Sequence, residues 1–330
     1  MPNSGWNFWI PNLRRALSGA FDTASGHDHD GVNSRTVFPN PYGGQDYFVD
    51  GNVATTGVYG KSWADAFLTL TEAITASNTS IALAANRWWA RRNRIFVCGD
   101  QEIDENLTIL PEKCDVIGMG YDIYPYPRII GNHVIAATRP TAGSANGCRF
   151  INCGFINESA TADMFAIPAG CHGLSFIGAH FLPKSGGSAG KALEITNCSG
   201  VTIENCKFDV LAGSMTNIHA LAISIEGLAS IHDTRIVGNH ITSTLGIHVV
   251  EATAAAMGSL IANNIMRTTG KAINDASGDF QVVNNRWMTD IDTTTSTAGY
   301  TFNLQLAAGN IQMGVTGLAD SIPFMKIAEG

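Results

Sequence analysis

VTIENCKF, residues 201–208, opens on the β-favouring alternation of Val201, Thr202 and Ile203, passes through Asn205 and Cys206, and closes on Phe208. Alone, it predicts a short strand and a turn. Its weight comes from recurrence. FINCGF (150–155), FIGAHF (176–181), IENCKF (203–208), IVGNHI (236–241), IANNIM (261–266) and VVNNRW (282–287) align without gaps. The starts at 150, 176, 203, 236, 261 and 282 are separated by 26, 27, 33, 25 and 21 residues. The third position is always Asn or Gly: Asn152, Gly178, Asn205, Gly238, Asn263 and Asn284. The fourth is Cys, Ala or Cys and then Asn239, Asn264 and Asn285.

A period of this size signals stacked supersecondary units. The helical spacing i, i+3, i+4, i+7 is missing around each phrase, whereas short period-2 alternations recur between Gly, Asn, Ser and Asp. Each phrase has a companion strand upstream, in MFAI (164–167), ALEIT (192–196), AISIE (222–226), IHVVE (247–251) and AIND (272–275). Two or three strands per unit predict an all-β fold, a right-handed parallel β-helix in which like positions stack. Asn suits the tight bends, since it tolerates unusual dihedrals and hydrogen-bonds nearby backbone. Stacked from unit to unit, it would also satisfy buried amides, while flanking hydrophobes fill the interior.

Residues 93–122 read as the opening strands, through Ile95 and Val97, Leu107 and Ile109, then Val116 to Gly118. The order of strand, ENLTI and VIGMG resembles the first turns of pectin-lyase-like β-helix proteins. Ahead of it, Trp63, Phe67, Leu70 and Ile74 predict one helical face, with Ser62 and Asp65 at capping-box spacing. A lead-in helix is common in that family, where it caps the open end. An uncapped end would expose an unpaired strand edge. GVYGKS (57–62) is no phosphate loop, because Thr55 stands where the first glycine is needed.

The expected organisation is an anchoring and assembly segment over 1–50, capping helix and lead-in over 51–93, β-helix over 94–291, and a terminal cap over 292–330. The first segment has its own helical face at Trp9, Leu13 and Leu17. It then carries SGHDHDGVNSR (25–35), which resembles a stretch near the N-termini of phage tail and other virion appendage proteins. Together the two resemblances imply a bacteriophage tail fibre or tailspike-like protein, with a capsid-surface fibre or decoration protein as the near alternative. They imply a homotrimer joined to other virion proteins through its N-terminal segment, meeting host surface polysaccharide. His27 and His29 face one side if extended, so three chains could offer imidazoles to a metal ion at the trimer axis. Asp28, Asp30 and Asn33 as the start of a calcium loop, or a plain solvated turn, are the alternatives.

Charge excludes some classes. Net charge is −8, with only 15% charged residues, which gives the chain as a whole no footprint for nucleic acid or anionic membrane. No apolar run is long enough to span a bilayer. Arg14 and Arg15 sit inside the first apolar stretch rather than ahead of it, unlike a secretory leader, which suggests synthesis in the host cytoplasm and a destination in the virion. Seven cysteines without a C-x-x-C read as small buried hydrophobes.

β-Helix families include polysaccharide lyases and hydrolases, and glycosidic cleavage normally takes two carboxylates. Glu226, Glu251 and Asp275 end the upstream strand of three consecutive units, with Glu194 near the same phase. They are the catalytic candidates, and a polar outer column is the alternative. NRWWARRNR (86–94) offers Trp88, Trp89, Arg91 and Arg92 as carbohydrate-binding candidates through stacking and cation–π contacts, or as packing against the first strands. No cofactor is required by either reading.

Overall fold

Ile203 stands between Phe176 and Ile236, its register partners on the strands either side, and all three are fully buried. That arrangement repeats throughout. In a computed structural model, the described residues are 43–84, 91–99, 102–120, 127–136, 147–184, 186–210, 217–227, 231–251, 258–276, 280–287, 291–292, 301–307, 310–316 and 325–326. For Ser188, Glu251 and the residues from 291 onward, only the backbone is described.

The fold is largely β, with parallel strands and a single α-helix among the described residues. Nine strands form one parallel sheet in sequence order: Asp46–Val49, Asn93–Val97, Cys114–Gly118, Arg149–Ile151, Ser175–Ile177, Thr202–Glu204, Arg235–Val237, Leu260–Ala262 and Gln281–Val283. A second run pairs Gly154–Ile156 with His180–Leu182, then Lys207–Phe208, the start of His240–Glu251, Ile265–Thr268 and Arg286–Trp287. A third pairs Phe165–Ile167 with Ser188–Thr196, His219–Gly227, the end of His240–Glu251, Ile273–Asp275 and Ile291–Asp292. Each repeat thus hydrogen-bonds in parallel to the next at all three positions. The six phrases found in the sequence are the bends between the first and second runs.

Alternate residues of each strand build one continuous core. The first run contributes Ile95, Val116, Phe150, Phe176, Ile203, Ile236, Ile261 and Val282; the second Phe155, Phe181, Phe208, Ile241 and Met266; the third Phe165, Leu193, Ile223, Ile247 and Ile273. Phe150 stacks on Phe176 at 5.3 Å, and Phe181 stacks on Phe155 at 5.5 Å and on Phe208 at 4.6 Å. Burying each such ring contributes roughly 2–3 kcal/mol relative to leaving it in water.

All six bend residues are left-handed, with φ of 55° at Asn152, 62° at Gly178, 54° at Asn205, 71° at Gly238, 57° at Asn263 and 51° at Asn284. Asn and Gly are the residues for which this region costs least. Gly238 has a second reason, since a Cβ there would lie 2.6 Å from Asn205 Oδ1. The buried amide ladder runs mainly through the fourth position rather than the third. Asn239 Nδ2 donates to Asn264 Oδ1, and Asn264 Nδ2 to Asn285 Oδ1, each at 2.9 Å. At the third position, a side-chain pair joins Asn284 Nδ2 to Asn263 Oδ1 on the exposed side.

The start of the chain departs from expectation in two ways. The strand Asp46–Val49 falls inside the segment assigned to anchoring, and pairs in register with residues 94–97 of the next strand. Trp63 and Phe67 do not share a helix with Leu70 and Ile74. Ser62 caps a single 3-10 turn, Trp63–Asp65, and the helix α1 spans Leu70–Leu83. Its capping box is Thr69 with Glu72, and Glu105 supplies a further carboxylate to its first turn. Buried Leu70, Ala73, Ile74 and Ile81 dock it on the first two strands. At the other end, residues 301–307 pair in parallel with Arg286–Trp287 and in antiparallel with residues 310–316, which also pair with 325–326.

Candidate functional site

The third run carries a cluster of polar side chains on its outward face. In each strand a small residue precedes the inward Leu or Ile: Ala192, Ala222, Gly246 and Ala272. At Gly246 the packing admits nothing larger, because a Cβ would come within 2.0 Å of the Ala272 carbonyl oxygen. The residue after the inward hydrophobe must then face out. Those residues are Glu194, Ser224, His248 and Asn274, in register across four strands.

Their neighbours complete the cluster. Lys191 Nζ bonds Glu194 Oε1 and, at 2.6 Å, Glu226 Oε1. Ser224 Oγ donates to the same Glu226 oxygen at 2.9 Å. The hydrogen bond from Lys191 outweighs partial burial and holds the Glu226 carboxyl below its ordinary range. Burial works against the Lys191 ammonium, yet its bonds to Glu194 and Glu226 raise it overall. Burial, reinforced by the charge of Lys271, lowers His248, whose Nε2 has no partner among the described residues. The result is a Lys191–Glu194–Glu226 ion-pair triad beside an imidazole and an amide.

This geometry places the four acids differently from the single phase read in the sequence. Glu194 continues into Ser224, Glu226 pairs with Thr196 and Val250, and Glu251 pairs with Gly227. Asp275 is on the inward phase, in register with Val249; it is fully buried and accepts the Phe280 N–H at 3.2 Å. Glu194 and Glu226 are brought together, through Lys191. A single column does not form because register follows the small–hydrophobic pairs inside the strands and not the strand ends. Aligning Ala192-Leu193, Ala222-Ile223, Gly246-Ile247 and Ala272-Ile273 would have found Ser224, His248 and Asn274.

Chemically, the cluster offers an ammonium, two carboxylates and an imidazole nitrogen as hydrogen-bonding groups. A general acid at neutral pH needs a raised carboxyl pKa, whereas Glu226 is pushed the other way. Ser224 gives its proton to a carboxylate rather than to His248, so no serine–histidine pair is formed.

The arginines of the other candidate site are engaged within the chain. Arg91 Nη1 donates to Ser80 O at 3.4 Å, and Arg92 Nε to Asp115 Oδ1 at 2.7 Å. Asp115 also takes both Nε and Nη2 of Arg149 at 2.7 and 2.6 Å, and Arg94 pairs with Asp46 at 2.6 Å. Asp46, Arg94, Asp115 and Arg149 follow one another in register, which makes an alternating ion-pair line along the outside of the first sheet. Trp88 and Trp89 lie outside the described residues, as do His27 and His29. Among the described residues, no group of three or more His, Cys, Asp or Glu is placed to hold a metal ion, and no helix is long and apolar enough to cross a membrane. Comparison with family models, with curated proteins and with solved structures found no match to this chain.

Proposed function

We propose that the chain is a structural protein of a bacteriophage virion: a right-handed parallel β-helix shaft, capped by α1, that assembles as a homotrimer and attaches to host surface glycan as a tail fibre or tailspike-like appendage. The observation that carries this reading is the in-register parallel pairing of every repeat with the next, nine strands deep in the first run. Coiled about one axis, nine strands at about 4.8 Å spacing make a rod about 40 Å long. Parallel crossovers are right-handed in nearly all known cases.

Self-association is supported by the outside of that sheet. Parallel sheets are normally covered on both faces. Here Phe48, Phe96, Ile117, Ile151, Ile177, Val237 and Val283 are half-buried and form an apolar line in register with buried Ala262, interrupted by Glu204. Trp63 packs on Phe48 at 4.9 Å and so shields one end. Symmetric copies would bury the remainder. The SGHDHDGVNSR resemblance supports the virion setting, and the Lys191–Glu194–Glu226–His248 face is the glycan-holding surface in this reading.

The test combines native mass measurement with incubation of the purified chain against capsular and lipopolysaccharide preparations from a bacterial panel. A three-chain species that retains a polysaccharide and releases no new reducing ends or unsaturated products is the expected result. Release of such products would replace attachment by the β-helix lyase or hydrolase alternative. A monomer that retains none of the preparations would overturn the appendage reading.

A further inference from the structure

Four cysteines approach one another along the segments that enter the first sheet, and one pair lies in adjoining repeats at matched positions. Ser175 pairs with Thr202, a shift of 27 residues, and the same shift carries Cys171 onto Cys198. Backbone bonds preserve that match on both sides of the pair. Gly170 N–H donates to Asn197 O at 3.5 Å, and Gly173 N–H to Ser199 O at 2.8 Å. Ser199 N–H also donates to His172 Nδ1 at 3.1 Å. Left-handed Gly170, Gly173, Asn197 and Gly200 give the two turns the same shape. Cys171 and Cys198 lie in the matched turns between paired strands, and the roughly 4.8 Å spacing of those strands is inside the roughly 4.4–6.8 Å Cα window of disulfides. Both side chains are buried, and Cys198 Sγ lies 3.4 Å from Pro168 O and 3.2 Å from Thr196 O.

We propose that Cys171 and Cys198 are a redox modification site, closing to a disulfide that staples two consecutive repeats when the protein meets a small disulfide oxidant. The Cys171 thiolate attacks one sulfur of the oxidant, breaking its S–S bond and releasing one small thiol. The Cys198 thiolate then displaces the second small thiol and forms the protein S–S bond. The two protons leave with the two small thiols, the oxidant is reduced, and the protein loses two hydrogens. Cys171 is the entry point because it is 5% exposed against 1% for Cys198. The hydrogen bond to Cys171, with burial, holds Cys198 above the ordinary thiol range, so closure is faster in alkaline than in neutral buffer. This inference is independent of the virion reading, and neither fails with the other.

The test treats the folded full chain with 2-hydroxyethyl disulfide, blocks remaining thiols, and maps peptides without reduction. A Cys171–Cys198 cross-linked peptide, the loss of two hydrogens from the intact chain, and an unfolding midpoint above that of the reduced protein are expected. Cys171→Ser and Cys198→Ser should each abolish the cross-linked peptide. A Cys148–Cys171 link, a link between chains, or full alkylation of Cys171 and Cys198 after unfolding the treated wild type would each overturn the proposal.

Discussion

Asn264 shows how one side chain can be fixed by three repeats at once. Its Oδ1 accepts from both the backbone N–H and Nδ2 of Asn239, at 2.9 Å each. Its Nδ2 donates to Ile236 O and to Asn285 Oδ1, also at 2.9 Å, and its own N–H reaches Asn285 Oδ1 at 3.0 Å. The residue is fully buried, so these groups have no solvent to turn to. Two units of the ladder use sulfur in this place. Cys206 Sγ lies 3.3 Å from Phe176 O and takes a backbone hydrogen bond from Ala179, and Cys153 Sγ lies 3.7 Å from Val116 O. Burial accordingly pushes both thiols up to about 12, and with no cysteine at the matched position of the adjoining repeat they serve as packing and hydrogen-bonding groups. Asn264→Ala should therefore cost about 3 kcal/mol, since it orphans a donor and an acceptor in the core. Asn264→Cys should cost measurably less, because the chain already fills equivalent positions with sulfur. Urea unfolding of the two variants decides the order; equal losses would mean that the ladder contributes volume and not hydrogen bonds.

At the scale of elements, α1 is held by groups far from it in sequence. Glu105, 35 residues beyond Leu70, accepts from Leu70 N–H at 2.7 Å, Thr71 N–H at 3.0 Å and Thr71 Oγ1 at 2.7 Å. It brings a negative charge to the positive end of the helix dipole and satisfies donors that no helical carbonyl can reach. Asn78 adds a second tie, donating to Leu110 O at 3.2 Å and accepting from Glu112 N–H at 2.8 Å. Glu105→Ala should destabilise the chain by roughly 1.5–3 kcal/mol, the range for hydrogen bonds to a charged group, and Glu105→Gln by less. Chemical unfolding with far-ultraviolet circular dichroism measures both losses. The misplaced helix start in the sequence reading arises from two capping signals in succession, Ser62 with Asp65 and Thr69 with Glu72. Ser62 and Asp65 have capping spacing and do cap, but only one turn, because Ala66 returns to extended backbone. The true start also carries a local signal, Thr69 and Glu72 at capping-box spacing, whereas the Glu105 carboxylate added from the opening strands is one that local pattern cannot reveal. The bends were legible because a single residue sets each of them through its left-handed φ. The outward cluster was not legible, since membership depends on register between strands rather than on residue type.

For the whole molecule, the polar groups buried in the stack set its response to acid. His133 and His219 are fully buried, and desolvation lowers both to about 3 from the ordinary value of 6.5. His133 Nδ1 accepts the Leu107 N–H at 3.1 Å, and the ring lies against Phe165 at 4.4 Å, which fits a neutral imidazole. His219 lines up with Ser188 and Ser243, and its ring nitrogens have no side-chain partner among the described residues. With the folded value depressed, the unfolded chain binds the protons first as pH falls. Stability is therefore complete above 6.5 and is lost between 6.5 and about 3. Each histidine contributes a slope of about 1.4 kcal/mol per pH unit within that window. The depressed carboxyls of Asp115, opposed by burial but held by Arg149 and Arg92, and of Glu226 act in the same direction at lower pH. A variant carrying His133→Phe and His219→Leu should show a markedly flatter fall of unfolding midpoint with acid between pH 6.5 and 4.5, whatever its stability at pH 7. A slope unchanged from the parent chain would show that the imidazoles reach water in the folded state and that carboxylates alone govern acid unfolding.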